Sequence, residues 1–233
     1  MNTKEPKYRH EFKYLISTAQ IPLLKGRIEN IMQRDPHVDE NGYYNIRSLY
    51  FDDYHNRYYY ENEHGTDPRE KFRIRIYNHS SEKISLECKR KEHGKTLKTS
   101  CKLTKEQTEL IINGKSLPYS EKYPPLLKKF IILTKAKGLR PVIIVEYERI
   151  PYIYKNGNVR VTFDTRISSS SDITDFLSGS LSKRPIMPVN QQLLEVKFDE
   201  YLPDFIYNNL NLGTIHQTTF SKYYLCRKYS LHI

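Results

Sequence analysis

In Leu86-Glu87-Cys88-Lys89-Arg90-Lys91, Glu87, Lys89 and Lys91 fall on one side of an extended chain and Leu86 and Cys88 on the other. This follows because successive side chains of a strand point to opposite faces. The arrangement recurs along the sequence. Phe72-Arg73-Ile74-Arg75-Ile76 puts two arginines on one face and three apolar residues on the other, and Glu11 shares a face with Lys13. Tyr147 goes with Arg149, Arg160 with Thr162 and Asp164, and Glu195 with Lys197, opposite Leu194, Val196 and Phe198. For one strand alone, the plain reading is an amphipathic sheet with a solvated polar face. Solvent faces, however, usually mix Thr, Ser, Gln, Lys and Glu. Arg-x-Arg or Glu-x-Lys on nearly every strand is a narrower choice.

Eight segments read as strands by their β-branched and aromatic content and their period of two: 8–16, 44–51, 71–77, 83–91, 96–103, 142–152, 159–167 and 192–198. Asn156-Gly157 marks a tight hairpin and Gly94 a second turn. Helices are expected over 17–34, with Ser17 or Thr18 as cap, after the capping box of Thr104 and Gln107, and over 123–135, 200–210 and 219–229. Residues 168–171 and 178–188 read as loops. No linker divides the chain, so residues 1–233 form a single domain. The fold class is α+β, a closed eight-stranded antiparallel β-barrel with helices packed outside. If the helices cover the apolar faces, the charged faces point into the lumen.

A lumen so lined needs a counter-charge, and a bound polyanion provides one. Arginine forks match phosphate oxygens and lysines add point charges. Carboxylates among them suit a divalent metal that bridges phosphate oxygens. The net charge of +11 and pI near 9.4 agree with a polyanionic partner: nucleic acid, nucleotide, polyphosphate or an anionic membrane surface. Strand alternation splits Lys89-Arg90-Lys91 over two faces, which argues against a nucleic-acid patch. No run of about 18 apolar residues spans a bilayer, and the N-terminus lacks an apolar signal core. Three cysteines without C-x-x-C spacing argue against a disulfide frame or a zinc site and for the cytoplasm.

The motifs, in order, are H-E-F-K-Y at 10–14, S-L-Y-F-D at 48–52, F-R-I-R-I-Y at 72–77, L-E-C-K-R-K at 86–91, V-E-Y-E-R at 145–149, V-R-V-T-F-D-T at 159–165, L-E-V-K-F at 194–198 and F-S-K-Y at 220–223. With these the chain resembles the VTC domain, the polyphosphate-polymerase branch of the triphosphate tunnel metalloenzymes in the CYTH-like superfamily. The resemblance implies transfer of the γ-phosphate of ATP to a growing inorganic polyphosphate chain. It implies phosphate-binding roles for Lys13, Arg73, Arg75, Lys89, Lys98, Arg149, Arg160 and Lys222, and for Lys197 beside them. Tyr147 and Ser221 match positions that orient the phosphate chain, with packing as the other reading of Tyr147. Glu195 matches the metal ligand, with Mn2+ or Mg2+ the implied ion; Glu11 either joins it or orients Lys13. Glu87 and Glu146 read as ion-pair partners of the lumen cations.

Two departures bear on the reaction. Arg9 stands at the first acidic position of the tunnel hydrolases' Glu-x-Glu-x-Lys motif, which leans away from a metal-activated water. Thr219 stands where the eukaryotic polymerases carry another lysine. Those proteins also bring a regulatory domain and membrane helices, so membrane coupling here would fall to partner proteins. A triphosphatase on the same barrel and a non-catalytic polyphosphate-binding module are the competing functions.

Overall fold

The structure, a computed structural model, describes residues 7–231. Its strands are β1 (His10–Ser17), β2 (Gln33–Arg34), β3 (Tyr44–Asp52), β4 (Arg69–Tyr77), β5 (Ser80–Glu92), β6 (Lys95–Leu103), β7 (Arg140–Tyr154), β8 (Val159–Ser170), β9 (Arg184–Pro185) and β10 (Gln191–Phe198). Eight of them form one antiparallel sheet in the order β1-β10-β8-β7-β3-β4-β5-β6, with β2 added to β7 and β9 to β8. The helices are α1 (Gln20–Ile28), α2 (Arg57–Glu63), α3 (Lys105–Ile112), α4 (Pro125–Lys137), α5 (Asp204–Asn209) and α6 (Lys222–Leu231).

The closed barrel expected from sequence is corrected to a curled half-barrel. Its edge strands, β1 and β6, meet at one bridge pair, Arg9 and Thr96, whose backbones exchange two 2.9 Å hydrogen bonds. Antiparallel continuation of that pair would match β1 with the Gly94 turn, and β6 with residues preceding Arg9. The two strands therefore share too little length to zip into a ladder.

The alternation expected from sequence fixes the two faces. On the convex side, Phe72, Ile74, Ile76, Ile84 and Leu86 pack under Ile111 of α3 and Leu127, Phe130 and Ile131 of α4. Tyr14, Val161, Phe163, Leu194 and Val196 pack under Leu24 and Ile28 of α1 and Ile206 of α5. The Thr104–Gln107 capping box opens α3 as expected. Pro125 starts α4, and Gly138, at φ +63°, ends it in the left-handed region that favours glycine. The first helix is shorter than expected and begins at Gln20; Ser17, the last residue of β1, accepts from the Gln20 N–H at 3.3 Å, and the Gln20 side chain accepts from the Ser17 N–H at 2.7 Å.

The expectation that all helices lie outside is corrected for α6. Ile46, Ile143, Val145, Tyr147 and Leu193 of the concave face cluster with Phe220 and with Tyr223 and Cys226 of α6, and with Tyr59 of α2. Helix α6 thus plugs part of the hollow with apolar side chains. Asp52, fully buried, ties the plug down: its carboxylate accepts from the backbone N–H of Tyr58 at 2.8 Å and of Tyr59 at 3.1 Å, and from the Tyr223 hydroxyl. The predicted loop over 168–171 is also corrected. Ser168–Ser170 continue β8, buried and paired with Ile144–Glu146 on one side and with Arg184 and Pro185 on the other.

Candidate functional site

Two ion-pair networks line the concave face. In the first, Arg73 donates to Glu87 Oε2 at 2.8 Å and to the Tyr50 hydroxyl at 2.9 Å. Arg75, two residues along β4, donates to Ser48 Oγ at 3.2 Å and to the Tyr147 hydroxyl at 3.4 Å. Lys98 of β6 donates to the other oxygen of Glu87 at 3.1 Å.

The second network joins β7, β8, β10, β1 and α6. Arg149 makes a bidentate pair with Asp164 at 2.6 and 2.7 Å and reaches Glu195 at 3.2 Å. Lys222, the first residue of α6, lies 2.6 Å from Asp164 and 3.2 Å from Glu195, with its ammonium 4.6 Å from the centre of the Tyr147 ring. Lys197 lies 3.3 Å from Glu195, and Lys13 lies 3.1 Å from Glu11. Glu11 in turn accepts from Lys89 across the β1–β5 gap at 2.8 and 2.9 Å.

Eight cations, Lys13, Arg73, Arg75, Lys89, Lys98, Arg149, Lys197 and Lys222, therefore converge on four carboxylates, Glu11, Glu87, Asp164 and Glu195, and Lys71 of β4 lies on the same face without one. Burial opposes every charge here. For the carboxylates the surrounding cations overcome it: Glu11 is held well below its ordinary value by Lys197, Lys89 and Lys13, and Glu195 by Lys222 and Lys197. Glu87 is lowered by Arg73 and Arg75 in the same way. The lysines divide. Lys222 is raised, since Asp164 and Glu195 outweigh its burial. Lys89 is pushed down to about 7 by burial, which Glu11 only partly offsets while Lys13 and Lys197 add to it. Lys197 is also lowered, chiefly by burial. The channel holds more positive charge than its own acids neutralise.

The sequence pattern of the VTC domain matches residues 8–231. The chain belongs to the VTC domain family. No curated protein matches it in a sequence comparison. Among solved structures it is similar to a putative adenylate cyclase from Bacillus halodurans, at 14% identity over 94% of this chain and 96% of that one, with a TM-score of 0.53. A putative adenylyl cyclase from Hippeastrum, described as having a dominant triphosphatase activity, aligns at 12% identity over 96% of each chain, with a TM-score of 0.56. A protein from Pyrococcus horikoshii, PH1819, aligns at 13% identity over 95% of this chain and 99% of that one, with a TM-score of 0.50. At these identities the likeness shows the fold alone.

In this VTC domain the residues singled out by motif mostly converge. Tyr147 is buried, with its hydroxyl on Arg75 and its ring beneath Lys222, so it packs and contacts the cations at once. Ser221 precedes α6 and its Oγ accepts from the backbone of Tyr224 at 3.3 Å. Arg160 stands apart at the rim, where Asp35 at 2.6 Å and the Tyr44 hydroxyl at 2.5 Å take its guanidinium. Glu146 does not meet the lumen cations and is corrected. It lies on the convex face, bonded to Arg47 at 2.6 Å and to Lys183, under the carbonyls of Phe176 and Ser178 that Arg47 also holds. Two further residues of the concave face carry no role in the motifs: Asp164, which shares a face with Arg160 and Thr162, and Lys71, two residues before Arg73. The period of two is the signal that finds both.

The acids fit a metal in one respect. Glu195 and Asp164 already share one cationic group, Lys222 Nζ, so their oxygens converge on a single point. Hard oxygen donors suit Mg2+ or Mn2+, which keep waters and phosphate oxygens in their shell. Among the described residues no three His, Cys, Asp or Glu side chains gather. This donor set fits an ion that arrives with a phosphate chain rather than one caged by protein alone. Glu11 is taken up by Lys13 and Lys89.

Proposed function

We propose that this chain is a metal-dependent polyphosphate polymerase that transfers the γ-phosphate of ATP to a growing inorganic polyphosphate chain. The observation that carries this reading is the surplus of inward-facing cations over carboxylates in one channel. Arg73, Arg75 and Lys98 grip the triphosphate on one wall; Arg149, Lys197 and Lys222 hold the acceptor chain on the other. A terminal oxygen of the acceptor attacks the γ-phosphorus in line, the bond from that phosphorus to the β–γ bridging oxygen breaks, and ADP leaves. Charge developing on the bridging oxygen meets guanidinium and ammonium groups already in place, and this is what phosphoryl transfer asks of a protein. A divalent ion at Glu195, when bound, supplies further neutralisation of phosphate oxygens.

The departure at Arg9 supports transfer over hydrolysis. Its guanidinium turns to Asp199 at 2.9 Å and to the Asn158 carbonyl at 2.6 Å, adding no acid to the channel. The three free cysteines suit a reducing cytoplasm. No helix among the described residues is long and apolar enough to cross a membrane. The test is incubation of the pure protein with ATP and Mn2+. The expected product is a polymer that resists nucleases and yields to a polyphosphatase, formed with ADP. Orthophosphate released without polymer overturns this reading in favour of a triphosphatase.

A further inference from the structure

Lys71 sits on the concave face of β4 and none of the motifs includes it. Its Nζ donates to Asn62 Oδ1 of α2 at 2.5 Å and to Ser221 Oγ at 3.0 Å, and lies 5.3 Å from the centre of the Tyr223 ring. These partners are neutral. Lys13, Lys89, Lys98, Lys197 and Lys222 each have a carboxylate within ion-pair distance; Lys71, the most enclosed of the remaining channel lysines, has none among the described residues, and neither has Lys91 at the mouth of the same face. The charged groups that face it are cations: Lys89 and Lys91 from β5, Lys13 from β1 and Arg69 from its own strand. The acids of α2 are engaged elsewhere, Glu61 by Arg57 and Glu63 by the Tyr59 and Tyr224 hydroxyls. An ammonium ringed by like charge and neutral dipoles lacks its counter-ion.

We propose that Lys71 is a further phosphate-binding residue of the channel, holding a phosphoryl oxygen beside Ser221 at the start of α6, with Asn62 as the positioning residue that aims it. The inference rests on the reading of the channel as a triphosphate or polyphosphate site, whichever reaction follows. Two further observations support it. Burial, then the charges of Lys89, Lys13, Arg69 and Lys91, hold the amine well below the ordinary lysine value in the ligand-free protein. A phosphate brought to it reverses that balance, so the amine takes up a proton from solvent on binding. Ser221 Oγ already accepts from Lys71 and from the Tyr224 N–H, which leaves its own hydroxyl hydrogen free to donate to the same phosphate.

The experiment is titration calorimetry with inorganic tripolyphosphate at about pH 7 in two buffers of different ionisation enthalpy, which reads affinity and proton uptake together. Lys71→Gln is expected to weaken binding about tenfold or more, the loss of one charge-assisted contact, and to lower proton uptake. Lys71→Arg, always charged, is expected to keep most of the affinity while losing the same share of uptake. Asn62→Asp leaves the lysine intact and hands it an internal carboxylate; it is expected to raise Tm and weaken tripolyphosphate binding, and it serves where Lys71→Gln fails to fold. Lys71→Gln or Asn62→Asp binding within twofold of wild type with unchanged proton uptake overturns the assignment of Lys71 alone. Wild-type protein that binds no tripolyphosphate overturns it together with the phosphate-channel reading. Orthophosphate in place of polymer in the ATP assay overturns the polymerase reading and leaves the Lys71 outcome to be read on its own.

Discussion

The two walls of the channel balance their charge differently. On the β7–β8–β10 wall, Arg149 and Lys222 each meet both Asp164 and Glu195, and all four are buried, with Lys197 at 3.3 Å from Glu195 beside them. On the β4–β5 wall, Glu87 is shared among Arg73, Arg75 and Lys98, and Lys89 depends on Glu11 from across the gap. The first wall is complete without a ligand and belongs to the fold as much as to the site. The second is under-neutralised, and Lys71 and Lys89 on it are held below the ordinary lysine value, as is Lys197 at the margin of the first. A substitution on the first wall should register as stability; one on the second should register as affinity.

Asp164→Asn should have the largest effect. It leaves Arg149 and Lys222 short of a buried partner, with an expected loss of about 3–5 kcal/mol of folding stability, read by chemical denaturation. A variant as stable as wild type would erase the distinction between the walls. Arg73→Gln comes next: at least tenfold weaker tripolyphosphate binding in calorimetry, with a stability change of about 1 kcal/mol, because Glu87 keeps Arg75 and Lys98.

The pH dependence sharpens the contrast. Lys89 titrates near 7 in the free protein, below its ordinary value. Its folded form therefore binds fewer protons than the unfolded chain between about pH 7 and 10, and stability from this group rises as pH rises through that window. A bound polyanion restores the charge, so tripolyphosphate affinity falls as pH climbs from about 6 to 8. Chelator-treated protein should show this slope, and Lys89→Gln should flatten it. The smallest effect is expected for Arg160→Gln at the rim, whose guanidinium is already held by Asp35 and Tyr44: a loss of about threefold in affinity, in keeping with a partly exposed charge.

Much of this was legible in the chain because a strand repeats every two residues. Arg73 with Arg75, Glu87 with Lys89, and Glu195 with Lys197 could be placed on one face from spacing alone. Closure was not legible, since it depends on how far two strands distant in sequence overlap, and the Arg9–Thr96 register leaves them almost no shared length. The position of α6 was hidden as well. Its aromatic residues suit a buried helix, and spacing puts Val145 with Tyr147 and Leu193 with Glu195, but nothing local says that a helix enters the hollow to cover them. Glu146 was misplaced although alternation with Tyr147 and Arg149 puts it opposite them. Ser168–Ser170 read as loop by composition; pairing on both sides makes them strand.

Asp52 ends β3, receives the first N–H groups of α2 and takes the hydroxyl of Tyr223 in α6. Asn62 and Ser221, which both hold Lys71, ride on those same two helices. One carboxylate thus works as a rivet through three plates. A displacement of α6 that carries Lys222 also drags on α2, so the grip of Lys222 and the grip of Lys71 beside it are mechanically geared.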